Sequence, residues 1–379
     1  MADTDRRRAH STLPPDGPHP PPGLRPVDAR GDAYGSHRSV TPAGSLPQSA
    51  WRLDNDFSRL FAGEALLAVE TLNLDAASFA QIEAQAHPQA CPDPGAIGEA
   101  VAHIVLRTVA ERGKQHNPVT GSGGMLVGRV LQVAPGREDG LQAGDELATL
   151  VSLTLTPLRL DRVRAVRLGS AQIDVEGEAV LFSSGPYAVL PDDLPKRLVL
   201  AVLDVAGAAP QVARLVEAGD TVVILGAGGK SGILCAAEAR RASGPSGRVV
   251  GVEASPRAAE ELRALDLCDS VIVADARDPL AVRRLVLEET AGNEANVTLS
   301  CVNVPDAEMA AIVVTRHRGT AYFFAMSTSF TRAALGAEGV GKDIDLVMGN
   351  GYARGHAHHT LGLLRAVPGV RALFERRYA

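Results

Sequence analysis

Seven residues, Gly226-Ala227-Gly228-Gly229-Lys230-Ser231-Gly232, constrain this chain more than any other stretch. They follow an uninterrupted apolar run, Val222-Val223-Ile224-Leu225, and precede a helical pattern from Ile233 to Arg241. A glycine-rich turn between an apolar strand and a helix is the setting of a dinucleotide-binding loop. Glycine there tolerates positive φ and lets the backbone approach a pyrophosphate, while the helix start supplies N–H donors. Gly226, Gly228, Gly229, Lys230, Ser231 and Gly232 are therefore candidate cofactor contacts. Gly229-Lys230-Ser231 also looks like the end of a Walker A loop, but that motif needs glycine at position 224, where isoleucine stands.

The flanking pattern supports the same reading. Val249–Val252, Val271–Val273, Val297–Val302, Thr320–Phe324 and Ile344–Met348 are apolar strands separated by helical stretches. Strands without polar alternation suit a parallel sheet covered on both faces. Residues 196–352 are thus expected to form a doubly wound α/β Rossmann domain that binds a nicotinamide dinucleotide. Glu253 ends the second strand, 253 − 226 = 27 positions after the first glycine. An acid there binds ribose hydroxyls and repels a 2′-phosphate, which favours NAD; Arg257 nearby leaves NADP as the alternative. Asp275 is placed to flank the adenine. Asn303 follows the fourth strand, at the carboxyl edge where ligands bind.

The N-terminal half reads differently. Residues 1–30 are rich in Pro and Arg without apolar periodicity, and are expected to be a disordered tail. Residues 31–195 are strand-rich: Ala65–Leu72, Gly124–Val133 and Asp145–Val151 are separated by glycine-bearing turns, as in a small β-barrel. Ile97, Val101, Ile104, Val105 and Val109 mark a helix ending at Gly113. Residues 353–379 are expected to rejoin this substrate domain.

Bulk properties exclude several classes. A net charge of −6 gives no basic footprint for nucleic acid. No apolar run approaches the roughly 20 residues that span a bilayer. The cysteines Cys91, Cys235, Cys268 and Cys301 are scattered, so neither a disulfide framework nor a metal site is expected. His356, His358 and His359 lack further ligand types nearby and read as surface histidines. A cytoplasmic enzyme acting on a small molecule, as a homodimer, is the expectation.

A strand-rich first half followed by this Rossmann half resembles the medium-chain dehydrogenase/reductase superfamily, with Gly128–Glu146 like its barrel hairpin. That likeness implies a GroES-like β-barrel substrate domain. Two departures stand out: the third fingerprint glycine falls at Ser231, with Gly232 after it, and the zinc-binding Cys and His-Glu pair are missing. Longer blocks are more specific. They are 34–38, Leu72-Asn73-Leu74-Asp75-Ala76-Ala77-Ser78-Phe79, Glu111 to Met125 (with Lys114, Asn117 and Ser122), 150–159, Leu203–Ala208 and Ala333–Asp343. From about residue 33 onward the chain resembles the L-erythro-3,5-diaminohexanoate dehydrogenase family.

That resemblance implies oxidative deamination of a diamino acid with NAD. The substrate carries two ammonium groups and one carboxylate, so its site needs carboxylates, a cation or N–H donors, and a base. Lys114, Asp75, Glu83 and Ser122 are the candidate catalytic residues. Asn117, Thr154 and Asp204 are the candidate substrate contacts. Lys114 equally reads as a helix C-terminal cation, Asp75 as an N-cap and Glu83 as a solvated acid. Competing functions are a zinc-independent NADPH-dependent reductase of enones or enoyl thioesters, and a non-catalytic dinucleotide-binding protein.

Overall fold

The computed structural model describes residues 23–86, 94–117, 123–325, 327–349 and 351–378. In chain order the first half contains β1 (Val27–Asp28), β2 (Ser39–Thr41), β3 (Arg52–Leu53), β4 (Leu60–Phe61), β5 (Ala65–Asn73), α1 (Ala76–Ala86) and α2 (Pro94–Arg112). It continues through β6 (Met125–Val133), β7 (Glu146–Thr149), β8 (Leu158–Arg167), β9 (Gln172–Leu181) and β10 (Tyr187–Val189). Six of these strands form one antiparallel sheet in the order β10-β7-β6-β5-β9-β8. β5 lies inside the sheet, with Ala65, Leu66, Leu67, Val69 and Leu72 buried. α2 packs along β8, and its Val101, Val105 and Val109 enter the core with Leu67, Leu126 and Ile173. Each fully buried Leu or Val of this kind contributes about 1.5–3 kcal/mol relative to exposure.

The edge strand β8 was not foreseen. Its arginines pair with acids of the neighbouring strand, Arg162 and Arg164 with Glu176 and Arg167 with Asp174. Charges on an edge strand discourage unwanted pairing with another chain.

Residues 23–30, expected in a disordered tail, are not part of one. β1 pairs in parallel with β4, and the Arg25 backbone N–H donates to Gln132 Oε1 at 2.7 Å. Residues 23–30 are therefore docked on the substrate domain; residues 1–22 lie outside the described part. Next to them sits a buried ionic knot. Arg38 is fully buried and donates from Nε and Nη2 to the two Glu64 carboxylate oxygens, both at 2.8 Å. Its guanidinium carbon lies 4.7 Å from the Phe61 ring centroid. His37 bridges Glu64 at 2.9 Å and Asp32 at 3.1 Å.

The second half contains α3 (Lys196–Leu203), α4 (Ala208–Leu215), β11 (Thr221–Leu225), α5 (Lys230–Ser243), β12 (Arg248–Glu253), α6 (Pro256–Arg263), β13 (Ser270–Val273) and α7 (Pro279–Glu289). Then come β14 (Ala295–Ser300), α8 (Glu308–Val314), β15 (Thr315–Phe323), α9 (Phe330–Gly339), β16 (Asp345–Met348), α10 (His356–Ala366) and α11 (Pro368–Tyr378). The strands are all parallel, in the order β13-β12-β11-β14-β15-β16. This is the Rossmann order, third-second-first-fourth-fifth-sixth, with its switch point between β11 and β14.

Residues 353–379 do not return to the substrate domain. α10 and α11 pack against α3, α4 and α5, and bury Leu361, Leu364, Val370, Leu373 and Phe374 there. The apolar faces of these helices find their matching surface on the Rossmann side. The same cluster takes in Met125, Val127, Ala148 and Ala188 from the substrate sheet, so the two halves share one core. Lys196, at the junction, reaches Glu70 at 3.1 Å and also Glu146.

Candidate active site and dinucleotide cleft

β11 delivers the chain into the glycine loop at Gly226, which takes φ +73°. The N–H groups of Gly226 and Ala227 both donate to Val252 O on β12, at 2.8 and 3.1 Å. A Cβ on Gly232 would lie 2.1 Å from Gly226 O, so only glycine fits. Gly232 thus provides the close helix–strand approach, and Ser231 is tolerated one position earlier. α5 starts without a side-chain cap. Among the described residues no acceptor takes the N–H of Lys230, Ser231 or Gly232. A backbone cradle that a Cβ would fill, with free N–H groups at a helix start, fits a dinucleotide pyrophosphate.

Glu253 closes the cradle on the β12 side. Its Oε2 accepts from Gly228 N–H at 3.0 Å and its Oε1 from Ser255 N–H at 2.9 Å. Arg257, one turn on, is 89% exposed and points into solvent. Asp275 ends beside β13 but is tied to Arg277; the hydrogen bonds from that guanidinium hold its carboxyl down at about 2. Asn303 is exposed just past β14.

On the substrate side three segments converge. Asp75 caps α1: Oδ1 accepts from Ser78 N–H at 2.9 Å and Oδ2 from Ser78 Oγ at 2.5 Å. Asn117 Nδ2 donates to the same Ser78 Oγ at 3.1 Å. Gly124 lies against the end of β5, where a Cβ would meet Asn73 O at 2.2 Å. A Cβ on Gly123 would meet Gln115 O at 2.7 Å and Leu153 Cβ at 3.0 Å. Ser122 itself lies outside the described residues. Thr154 is fully buried, and its Oγ1 donates to Ser152 Oγ at 3.0 Å, so it holds the loop together.

Lys114 departs from its expected role. It is fully buried, and Nζ donates to Pro47 O at 2.6 Å and Gln48 O at 3.4 Å. Burial, with help from Arg112, lowers its pKa to about 8. Its ammonium fastens the 47–48 loop; Lys114 does not line the interdomain cleft, and Asp75 stands one residue beyond the lining residues Asn73 and Leu74.

That cleft has a volume of about 520 Å³. Asn73, Leu74, Phe79 and Glu83 form the substrate-domain wall, and Arg197, Asp204, Lys230, Arg377 and Tyr378 form the Rossmann wall. Asp204 caps the end of α3 and accepts from Lys230 Nζ at 2.8 Å. Glu83 and Arg197 have no ion-pair partner among the described residues. Arg197, Arg377 and Tyr378 were not singled out in the sequence. No local motif marks them; the turn of α11 back toward the loop brings two of them in. The histidines diverge: His359 meets Glu238 at 3.1 Å, while His356 is buried edge-on to Tyr352.

A sequence profile for the N-terminal domain of L-erythro-3,5-diaminohexanoate dehydrogenase matches residues 37–191. An L-erythro-3,5-diaminohexanoate dehydrogenase of Acetoanaerobium sticklandii is 47% identical over 351 residues, covering 92% of this chain and 99% of its own. The chain belongs to the L-erythro-3,5-diaminohexanoate dehydrogenase family. A second member, from Fusobacterium nucleatum, is 47% identical over 352 residues with the same coverage. Solved structures share the fold at lower identity. An alcohol dehydrogenase of Thermotoga maritima superposes with TM-score 0.52 at 14% identity, over 82% of this chain and 83% of that one. A crotonyl-CoA carboxylase/reductase, AntE, in complex with NADP gives 0.51 at 16%, over 80% and 78%. This chain thus shares the fold of these two proteins. No single helix among the described residues is long and apolar enough to cross a membrane.

Proposed function

We propose that this protein oxidatively deaminates (3S,5S)-3,5-diaminohexanoate to (S)-5-amino-3-oxohexanoate and ammonium, reducing NAD, as a step of lysine fermentation. The observation that carries this reading is 47% identity with dehydrogenases of that name along 92% of the chain. A dinucleotide bound at the glycine loop would supply the hydride acceptor for C3. The loop residues Gly226 to Gly232 hold its pyrophosphate, and Glu253 takes the adenosine ribose hydroxyls. Glu253 supports NAD over NADP because a 2′-phosphate would stand against its carboxylate.

Asp75, next to the cleft-lining Leu74, takes the proton from the 3-ammonium, which frees the nitrogen lone pair, and passes it to solvent; the regenerated carboxylate then takes a proton from the water that adds to the iminium and gives it to the nitrogen that leaves as ammonium. Ser78 and Asn117 hold that carboxylate in one orientation. Glu83 pairs with the second ammonium and Arg197 with the carboxylate, since each is a cleft-facing charge without an ion-pair partner. Asp204 fixes Lys230 at the head of α5. The test is turnover of the purified protein with 3,5-diaminohexanoate and NAD, reading both NADH and ammonium. NADH binding without turnover on this substrate would sink the reading. Turnover of enones with NADPH in its place would establish the reductase alternative.

A further inference from the structure

The last helix, α11, reaches the dinucleotide loop although the Rossmann sheet is complete without it. Val370, Leu373 and Phe374 seat the helix in the core. Its last turn then crosses to the glycine loop. Arg377 Nη1 donates to Gly228 O at 2.8 Å, while Nε donates to Glu261 Oε2 on α6 at 2.9 Å and Nη2 meets the same oxygen. Tyr378 stacks edge-on against Phe374, with ring centroids 5.2 Å apart. Its ring lies 5.2 Å from the Lys230 ammonium.

We propose that α11 is a working part of the dinucleotide site: Arg377 is a positioning residue that fixes the Gly228–Gly229 peptide, and Tyr378 holds Lys230 in place for the pyrophosphate. The proposal rests on the dinucleotide reading of the loop but not on the amino substrate. That peptide is held at both ends. Its carbonyl accepts from Arg377, and its N–H donates to Gly226 O at 3.1 Å. With Gly228 N–H already engaged by Glu253, the loop is fastened at three points, which leaves the N–H groups of Lys230, Ser231 and Gly232 for the ligand. Removing Arg377 returns the loop to several conformations, and binding must then include the cost of ordering it. The guanidinium also places a positive charge, 19% exposed, beside the anionic pyrophosphate. The aromatic face of Tyr378 opposes the pull of Asp204 on Lys230 and so centres the ammonium at the head of α5.

The experiment titrates NADH and NADPH into full-length protein by calorimetry, which needs no amino substrate. Arg377→Gln should raise the Kd of the preferred dinucleotide about tenfold, equivalent to about 1.4 kcal/mol. Arg377→Lys, which keeps the charge but loses the fork, should fall between. Glu261→Gln, which loosens Arg377 from α6, should shift Kd in the same direction. In turnover assays the KM for the dinucleotide should rise by a larger factor than the KM for the amine. A folded Arg377→Gln protein with the parent Kd overturns the proposal. If that variant does not fold, Tyr378→Leu decides: a threefold or larger rise in Kd supports it and an unchanged Kd overturns it. A parent protein that binds neither dinucleotide overturns this proposal and the loop reading together. Binding with no amine turnover leaves this one standing and removes only the substrate assignment.

Discussion

Asp75 serves both as helix cap and, in the proposed chemistry, as proton acceptor. A cap and a base make opposite predictions on substitution. Asp75→Asn keeps an acceptor for the Ser78 N–H, so the melting temperature should stay within a few degrees while kcat falls roughly 100-fold or more. A variant that melts early and keeps its kcat would make Asp75 a cap alone. Lys114 reverses this pattern. Lys114→Met leaves the carbonyls of Pro47 and Gln48 without their donor, so stability should drop by about 1–3 kcal/mol, with kcat/KM reduced less than tenfold. A catalytic collapse in a stably folded Lys114→Met protein would restore the lysine as the base. Glu253→Ser should raise the use of NADP relative to NAD by tenfold or more; an unchanged ratio would show that another group reads the ribose. Glu253 was legible in the sequence because strand and loop fix its place relative to the glycines. Lys114 was not, because the direction of its side chain depends on a loop 67 positions away in the chain.

At the scale of elements, the glycine loop was readable almost residue by residue. Its one irregularity, Ser231 in place of glycine, is resolved by the 2.1 Å approach at Gly232. Gly232→Ala must therefore push α5 away from β11. Loss of dinucleotide binding together with a stability loss of about 1–3 kcal/mol is expected, measured by calorimetry and thermal melting. Apolar runs gave away β11, β12 and β14 because both of their faces are covered. β8 and β9 were hidden, since salt-bridged charges and bulges break their alternation. The knot around Arg38 ties the segments of β1 to β4 to the main sheet and gives a pH signature. Burial opposes charge on His37, but the hydrogen bonds to Glu64 and Asp32 outweigh it, so its pKa lies above the ordinary 6.5. The folded state therefore holds this proton more tightly than the unfolded chain does. Its stabilisation is full below about pH 6.5 and fades as pH rises through the folded value. The melting-temperature gap between parent and His37→Gln should accordingly be wider at pH 6 than at pH 9; a gap independent of pH would exclude the linkage.

At the scale of the molecule, the two halves are joined by a shared apolar cluster, which includes Met125 and Val127 on one side and Leu198 and Val202 on the other. A common core implies a common transition. Calorimetry of the ligand-free protein should show one unfolding peak, and a dinucleotide at 100 times its Kd should add about 2.7 kcal/mol to the whole of it. Two peaks, only one of them moved by ligand, would mean the halves unfold separately. The destination of residues 353–379 was not legible. Amphipathic helices declare that they bury a face, but not against which neighbour, and the nearest guess in the chain was the wrong half. The chain's single tryptophan gives this architecture a practical use. Trp51 is half-exposed and lies under the Arg112 guanidinium, 4.9 Å away, beside the loop that Lys114 fastens. All intrinsic indole emission therefore originates in the substrate half, and a spectral shift on adding an amine reads the 47–51 segment directly, against a background that the cofactor loop does not contribute to.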